Sequence, residues 1–454
     1  MIERQQTPWT QSELQAIAQH VLSRSHADAT EVVLSGRTNH LTRFANSQIH
    51  QNVSEQDLVV SLRVAIGQKV GLGSTNDLSP EGLARAVADA ELMARLQPDN
   101  PEFPGFAQPL PAPSVNATSE RTLATTPADR AAVARQICER AIASDLSASG
   151  AYTTGLQQVA VANSNGVWAY HQNTIADFNT VVMSPDSSGW AAYTGLDAGE
   201  VDGAALAEEA IVKALDSRHP QELEPGHYTV ILEEYAVNEM LQYLVAGCGA
   251  EEVREGLSFM SDRLGETVAH AGVSIWDDGL DAAGLPMPFD YEGTPKQRVP
   301  LLTNGRVEGP VYDRRNAAIE GRRSTGHFAS NATFYKGGAK PWNVFMAPGS
   351  HTKEAMLAST ERGIWVTRFH YVNRLDARKT SITGMTRDGT FWIEDGKIAH
   401  PLRNLRFTHA ILDALRDVVM IGRDTKLDQN WFGGGTRVPA LKIENFRFSG
   451  KTLF

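Results

Sequence analysis

The chain has 454 residues, of which 42% are hydrophobic, and a formal net charge of −11 at pH 7. This length and hydrophobic content suffice for two or three packed domains. The acidic balance and the lack of any run of three basic residues exclude nucleic acid as the main partner. No apolar stretch approaches the ~20 residues that a bilayer requires, which excludes a membrane as the main partner.

The two cysteines, Cys138 and Cys248, indicate the compartment. Two cysteines are too few for a disulfide scaffold, and both lie in helix-like stretches, where buried reduced thiols are usual. We therefore expect a cytoplasmic protein.

The first 97 residues predict an N-terminal α+β domain. A helix is predicted over 12–24, with Ser12 and Gln15 in capping-box spacing. Alternating apolar residues predict strands, and Ser79-Pro80-Glu81 supplies the start of a second helix. The predicted elements after the first helix are strands over 30–35, 43–53 and 58–66 and a helix over 80–96.

Residues 98–126 contain six prolines and predict a surface linker, because proline removes backbone donors and forbids a continuous helix. Residues 127–220 predict a middle α+β domain. Its predicted elements are a helix over 127–144, strands over 152–162 and 166–183 and a helix over 203–217.

Residues 226–454 predict a β-rich C-terminal domain, separated from the middle domain by the Pro225-containing segment 221–226. A strand over 227–232 is followed by a helix over 235–247. From residue 256 onward, short apolar runs separated by turn sequences indicate a mostly antiparallel sheet or barrel. The predicted fold class of the whole chain is therefore α+β.

The usual residues of a zinc peptidase are absent. Such an enzyme needs two histidines about one helical turn apart beside a carboxylate. The 13 histidines never fall four or five residues apart, and no His-Glu dipeptide occurs. A Walker loop and a Gly-x-Ser-x-Gly elbow are also absent. We expect no catalytic residue, no metal ligand and no cofactor in this chain.

Two polar stretches are candidates for binding. The first, 289–294, contains Asp290 and Glu292, which could orient a peptide or contact a partner, or could bind backbone donors of the turn. The second, 322–327, contains Arg323 and His327, which could hold a carboxylate such as a peptide terminus, or could form a solvated turn. An enzyme of unrelated chemistry would require all four groups to converge in one pocket.

Six sequence blocks in order resemble the TldD/PmbA family. Two lie near the amino terminus, over 43–53 and 64–79. Four lie in the carboxy-terminal half: Leu-Gly-Glu-Thr-Val at 264–268, Phe-Asp-Tyr-Glu-Gly-Thr-Pro at 289–295, Leu-Thr-Asn-Gly-Arg-Val at 302–307 and Arg-Arg-Ser-Thr-Gly at 322–326. The stretch Trp-Ile-Glu-Asp-Gly-Lys-Ile at 392–398 extends the resemblance over nearly the whole chain.

The resemblance implies two paralogous subunit types. The TldD type carries a His-Glu-x-x-x-His helix after an apolar strand, and here that motif falls at Gln242, Tyr243 and Gly247. An amide, a phenol and a bare backbone cannot replace two imidazoles and a carboxylate. The chain therefore resembles the metal-free TldE/PmbA type, whose members pair with a zinc-bearing TldD-type subunit in a peptidase of unfolded or small peptides.

The resemblance also implies that the isolated chain is a homodimer. The alternative that we retain is a stand-alone homodimeric peptide-binding or scaffold protein without protease activity.

Overall fold

The structure is a computed structural model that describes residues 8–329, 338–430 and 433–452. The elements before residue 220 are, in chain order, α1 (Gln11–Arg24), β1 (Ala29–Ala45), β2 (Gln48–Ile66), β3 (Lys69–Thr75), α2 (Pro80–Leu96), α3 (Glu120–Ala124), α4 (Pro127–Ala143), β4 (Ser147–Asn163), β5 (Trp168–Met183), β6 (Ser188–Gly195), a short 3-10 helix (Ala198–Glu200) and α5 (Gly203–Asp216).

The remaining elements belong to the C-terminal part of the chain. They are β7 (Gly226–Leu232), α6 (Glu234–Val245), α7 (Ala250–Arg254), β8 (Ile275–Asp277), β9 (Val299–Thr303), β10 (Arg306–Val307), α8 (Arg314–Ile319), β11 (Phe328–Ala329), β12 (Gly338–Ala339), β13 (Asn343–Met346), α9 (Lys353–Ala358), β14 (Arg362–Asp376), β15 (Ser381–Glu394), β16 (Lys397–Pro401), β17 (Leu405–Ala410), α10 (Ile411–Arg416), β18 (Val418–Gln429) and β19 (Gly435–Lys451).

The first six strands form one antiparallel sheet in the order β3-β2-β1-β4-β5-β6. The sheet is continuous across the proline-rich segment, because β1 pairs with β4 over fourteen residues of each strand, from Glu31 opposite Asn163 to Phe44 opposite Gly150. The segments before and after this linker therefore contribute three strands each to a shared sheet.

Alternation along β1 separates the two faces of this sheet. Val32 and Leu34 pack with α1 and α2, and Phe44 on the same face packs with α4 and α5. Val33, on the opposite face, packs with Phe289 of the C-terminal part. The helices thus cover one face, and the other face lies against the C-terminal part.

The capping box predicted at Ser12 and Gln15 is wrong, because helix α1 is capped two residues earlier. The hydroxyl of Thr10 accepts from the backbone N–H of Glu13 at 3.2 Å, and the Glu13 carboxylate accepts from the backbone N–H of Thr10 at 2.8 Å. Glutamate has both the reach and the charge for this position, since the positive end of the helix dipole lies there.

The C-terminal part is built on an eleven-stranded sheet within the described residues. Five of its strands close into a ring, because β7, β14, β15, β17 and β19 pair in order and β19 pairs again with β7. Most pairs are antiparallel, while β7–β14 and β13–β19 are parallel. The predicted α+β class with a β-rich, barrel-like C-terminal region is confirmed.

Aromatic and helical packing fills this region. The rings of Phe369 and Phe407 lie 4.3 Å apart between centroids, and Phe446 stacks on Phe369 at 5.8 Å. Helix α6 adds Leu241 and Leu244 to the same cluster. The described residues contain no helix with the length and apolarity needed to span a bilayer.

Candidate functional site

Helix α6 carries the positions at which the resemblance places the metal motif. It follows β7 directly, with Glu233 at its N-cap, and its apolar side is buried in the C-terminal core. Gln242 and Tyr243 lie in its last turn. Gly247 lies two residues beyond the end of the helix.

The side chains at these positions make structural hydrogen bonds. The Gln242 amide is buried and donates to the Glu239 carboxylate at 2.9 Å. The Tyr243 hydroxyl donates to the backbone carbonyl of Val372 at 2.5 Å, which ties α6 to β14. A Cβ added at Gly247 would make one ordinary van der Waals contact, with the Leu244 carbonyl oxygen at 3.4 Å.

A cavity of ≈ 190 Å³ opens beside the end of this helix. Its polar lining consists of amides, cations and one carboxylate. Lys340 and Glu252 form an ion pair, and Arg374 is exposed at the cavity. The polar side chains that line the cavity are those of Gln242, Glu252, Lys340, Arg374 and Asn430.

The donor chemistry at this end of α6 does not fit a zinc ion. Zinc in proteins takes thiolate, imidazole and carboxylate ligands. Cys248 is the nearest thiol in sequence, but it is buried, its Sγ–H donates to the Leu244 carbonyl at 3.6 Å, and burial raises the pKa of the thiol far above its ordinary value. No group of three or more histidine, cysteine, aspartate or glutamate side chains in the described ranges is placed to hold a metal.

Asp290 is buried, and its carboxylate stabilises the turn in which it lies. One carboxylate oxygen accepts from the backbone N–H groups of Glu292 and Thr294, each at 2.9 Å, and the other accepts from the backbone N–H of Phe328 at 2.9 Å. Burial raises the pKa of Asp290 well above its ordinary value, and the nearby charge of Glu292 adds to this effect. The carboxyl therefore joins two loops of the C-terminal part.

Glu292 belongs to an ion cluster that joins the first sheet to the C-terminal part. Its carboxylate lies 3.1 Å from the Arg63 guanidinium on β2 and accepts from the backbone N–H of Arg314 at 3.1 Å. The same guanidinium lies 2.6 Å from the Glu31 carboxylate on β1, and its carbon is 4.5 Å from the ring centroid of Phe328. Burial raises the pKa of Glu31, against the lowering effect of Arg63.

His327 forms a fully buried pair with Asp277. Its Nε2–H donates to the Asp277 carboxylate at 2.8 Å, while Nδ1 lies 2.9 Å from both the hydroxyl and the backbone carbonyl of Thr325. Burial lowers the pKa of His327 below its ordinary value, against the raising effect of the Asp277 carboxylate. The second Asp277 oxygen accepts from the backbone N–H groups of Trp342 and Asn343. This pair fixes a loop against strand β8.

The four residues singled out in the two polar stretches do not share one pocket. His327 has no exposed surface, whereas Arg323 is exposed on the surface turn before it. Asp290 and Glu292 lie close together but bind different partners. This arrangement gives no support to an enzyme built on all four groups.

Sequence reasoning missed four charged residues that hold the domains together: Glu31, Arg63, Lys213 and Glu233. Glu31 and Arg63 each interrupt an apolar strand at a position that alternation assigns to a buried face. A charge at such a position indicates a buried, paired side chain and can be recognised from the sequence. Lys213 and Glu233 are separated by twenty residues and a domain boundary. No local sequence pattern predicts that this lysine and this glutamate pair.

Family models match three successive parts of the chain. They describe PmbA/TldA metallopeptidase domain 1 over residues 30–94, the central domain over 117–218 and the C-terminal domain over 225–450. The chain is 23% identical over 444 residues to the metalloprotease PmbA of Escherichia coli O157:H7, with 93% of each chain covered. It is 22% identical over 438 residues to a metalloprotease TldD homolog of Buchnera aphidicola, with 89% of each covered.

Solved structures share the fold over nearly the whole chain. TldE from Thermococcus kodakarensis superposes with a TM-score of 0.86 at 17% identity, covering 96% of this chain and 100% of that one. A structure from Thermotoga maritima, described as a putative modulator of a DNA gyrase, gives a TM-score of 0.85 at 20% identity, with the same coverage. With the three family models matched in order along its length, the chain belongs to the TldD/PmbA family.

Proposed function

We propose that this chain is the metal-free, TldE/PmbA-type subunit of a peptidase complex whose zinc-bearing subunit is a TldD-type paralogue. The observation that carries the proposal is the state of the motif positions on α6. Tyr243, at the position of the general base, uses its hydroxyl to bind the Val372 carbonyl, and Gln242 is buried beside Glu239. Neither group is free to activate a water molecule.

The proposed complex acts on unfolded or small peptides in the cytoplasm. An enclosed active site admits extended chains and excludes folded domains, and an extended chain can add to an exposed sheet edge through main-chain hydrogen bonds. Strand β3 is an edge of the first sheet. Both cysteines are unpaired, which is usual in a reducing compartment.

The test is co-expression of the full chain with a TldD-type paralogue from the same host. We expect a stable complex with an interface above about 1,000 Å², and cleavage of an unfolded peptide only when both subunits are present. The matched control is the same paralogue with one motif histidine replaced by alanine, which should still form the complex but should not cleave. Failure to form a complex would overturn the proposal.

The second candidate function is a stand-alone homodimeric peptide-binding or scaffold protein. Light scattering on the isolated chain should give twice the 49.4 kDa of one chain in either case, because two subunit types of similar fold, as the resemblance implies, would let like chains pair on the surface that otherwise binds the paralogue. The two candidates differ when the paralogue is added. The partner subunit exchanges into a heteromeric complex, whereas a stand-alone binder remains a homodimer and binds peptide alone.

A further inference from the structure

A second cavity, of ≈ 290 Å³, lies between the first sheet and the C-terminal part. Strands β1, β4 and β5 form one wall, and the loops that carry Met287, Tyr291 and Trp342 form the other. Among the described residues that line it, Arg37 is the one charged side chain at pH 7. The polar side chains that the sheet contributes include those of Ser35, Arg37, Gln157, His171 and Asn173.

The register of the sheet arranges these side chains in two neighbouring rows. In the order β1, β4 and β5, the first row is Arg37, Gln157 and Asn173, and the second row is Ser35, Val159 and His171. Alternation along β1 places both rows on the face of Val33, which packs with Phe289 of the C-terminal part. The Cα atoms of Arg37 and His171, two strands and one row apart, are therefore about 12 Å from each other.

The Arg37 guanidinium is exposed at the cavity, and its side chain forms no ion pair or hydrogen bond with any described residue. The acid opposite it on β2, Asp57, lies on the side away from Gln157 and is not paired with it. A guanidinium can hold a carboxylate through two parallel hydrogen bonds. Arg37 is thus available to an anionic ligand in a cavity whose described lining includes no acid.

His171 contributes a hydrogen-bond acceptor. The side chain is only 6% exposed, and its Nε2 lies 3.0 Å from the carbonyl oxygen of Pro286. Because a carbonyl oxygen only accepts, Nε2 carries the hydrogen. Burial lowers the pKa of His171 to about 4, so the ring is neutral at pH 7 and Nδ1 is an acceptor. No described residue donates to Nδ1, so this side chain has one unused acceptor.

The wall from the C-terminal part is largely apolar. Leu285 and Met287 are buried, and the rings of Tyr291 and Trp342 meet edge to face with 6.2 Å between their centroids. Such a wall accommodates apolar side chains. A ligand that fits the whole cavity therefore combines a carboxylate, a nearby N–H donor and an apolar body.

We propose that this cavity binds the carboxy-terminal end of an extended peptide whose last residues are apolar. Arg37 binds the terminal carboxylate, Nδ1 of His171 accepts a main-chain N–H, and the apolar side chains contact Tyr291 and Trp342. Two extended residues span about 7 Å, and the long arginine side chain covers the rest of the distance between the two groups. The inference rests on the proposed function only for the choice of a peptide as the ligand.

The probe is N-acetyl-leucyl-leucine, titrated into the isolated full chain at pH 7.5 by calorimetry and by ligand-observed NMR. We expect saturable binding with a Kd of about 1 mM or below, the range set by a ligand of this size. N-acetyl-leucyl-leucinamide, which lacks the carboxylate, should bind at least about tenfold more weakly. Absence of saturable binding, or equal binding of the amide, would overturn the inference. Since no paralogue is present, that failure would leave the co-expression test of the proposed function unaffected.

Two variants with a matched control locate the site. Arg37→Gln should weaken binding of the acid by at least about tenfold and leave binding of the amide within about threefold of the parent. Arg43→Gln is the control, because Arg43 is also exposed and lies on the same strand and face, about 20 Å from Arg37. It removes the same charge and should change neither affinity by more than about threefold. Ser35→Phe fills the cavity from an exposed position and should abolish binding of both ligands.

Equal effects of Arg37→Gln and Arg43→Gln, or unchanged binding in Ser35→Phe, would place the ligand elsewhere and overturn the inference. The acceptor role of His171 is tested with N-acetyl-leucyl-leucic acid, in which an ester oxygen replaces the last N–H. It should bind about threefold to tenfold more weakly than the peptide, and equal binding would contradict the use of Nδ1. N-acetyl-glutamyl-leucinamide carries its carboxylate only on a side chain, and binding as tight as that of N-acetyl-leucyl-leucine would refute a site for the carboxy terminus.

Discussion

The ammonium of Lys213 lies 2.7 Å from a carboxylate oxygen of Glu233, and this ion pair joins α5 of the middle part to the N-cap of α6. Glu233 is almost fully buried, and its other oxygen accepts from the indole N–H of Trp365 at 2.7 Å. Although burial acts to lower it, the pKa of Lys213 is raised by Glu233 and Glu209. The helix that carries the motif positions is thus held at its N-cap by a charge from another domain.

Replacing Lys213 should therefore destabilise the protein more than replacing an exposed lysine. Lys213→Met leaves the buried Glu233 charge without its cation, and we expect a loss of about 3 kcal/mol in the free energy of unfolding, the usual cost of breaking a buried pair. Urea unfolding followed by circular dichroism measures it. Lys397→Met, at an exposed position, is the control and should stay within about 0.5 kcal/mol of the parent. Equal effects of the two variants would mean that the pair does not hold the domains.

Glu209 should contribute stability that disappears in acid. Although burial acts to raise it, the pKa of Glu209 is lowered from 4.5 to about 2 by the ammonium groups of Lys213 and Lys426. A carboxyl whose pKa is lower in the folded state binds fewer protons there, so its contribution is complete above pH 4.5 and is lost as pH falls toward 2.

The measurement is the free energy of unfolding at pH 5, 4 and 3 for the parent and for Glu209→Gln. The parent should lose stability more steeply with falling pH than the variant, because the variant has no proton to bind at this position. Parallel pH profiles would contradict the assignment of the low pKa to Glu209. Glu308→Gln, at an exposed site, should reproduce the parent profile.

Sequence patterns predicted strands in the first sheet, but the strand predicted over 43–53 is wrong, because the turn at Asn46 and Ser47 divides it between β1 and β2. These patterns also could not predict how Glu31 is paired. Counting back from the turn between Ala45 and Gln48 would place Glu31 opposite Leu62. A register shift between Arg43 and Phe44 moves the pairing by one residue, so that Glu31 lies opposite Arg63 instead. One bulge therefore decides whether a buried acid faces a leucine or a guanidinium.

Helix α6 also shows that local patterns predict elements but do not predict contacts between distant residues. The apolar strand and helix were predictable from local periodicity, and the family pattern placed Gln242 and Tyr243 on that helix. The contact of the Tyr243 hydroxyl with Val372 spans 129 residues. Such contacts depend on the position of β14 in the ring of strands, and no local sequence pattern predicts that position.

Both thiols should be unreactive in the folded protein. Cys138 and Cys248 are buried, and burial raises the pKa of each, which suppresses the thiolate that reacts. With a chromogenic disulfide reagent we expect fewer than about 0.1 thiols per chain to react within minutes at pH 7.5, and both to react in denaturant. Leu264→Cys, at an exposed position, is the control and should add one fast thiol. Rapid reaction of a native thiol would contradict the burial.

The purified chain should retain no stoichiometric zinc. Around Gln242 and Gly247 the available donors are amides, an ion-paired carboxylate and a protonated thiol, none of which competes with solvent for zinc as imidazole and thiolate do. After dialysis against excess zinc and then against metal-free buffer without chelator, elemental analysis should give below about 0.1 zinc per chain.

The double variant Gln242→His, Gly247→His is the matched control. A Cβ added at residue 247 would make only an ordinary contact with the Leu244 carbonyl oxygen, and we expect the two imidazoles to retain measurably more zinc than the parent under the same treatment. Equimolar zinc in the parent would show that this chain carries its own metal site, and the metal-free subunit assignment would then be abandoned.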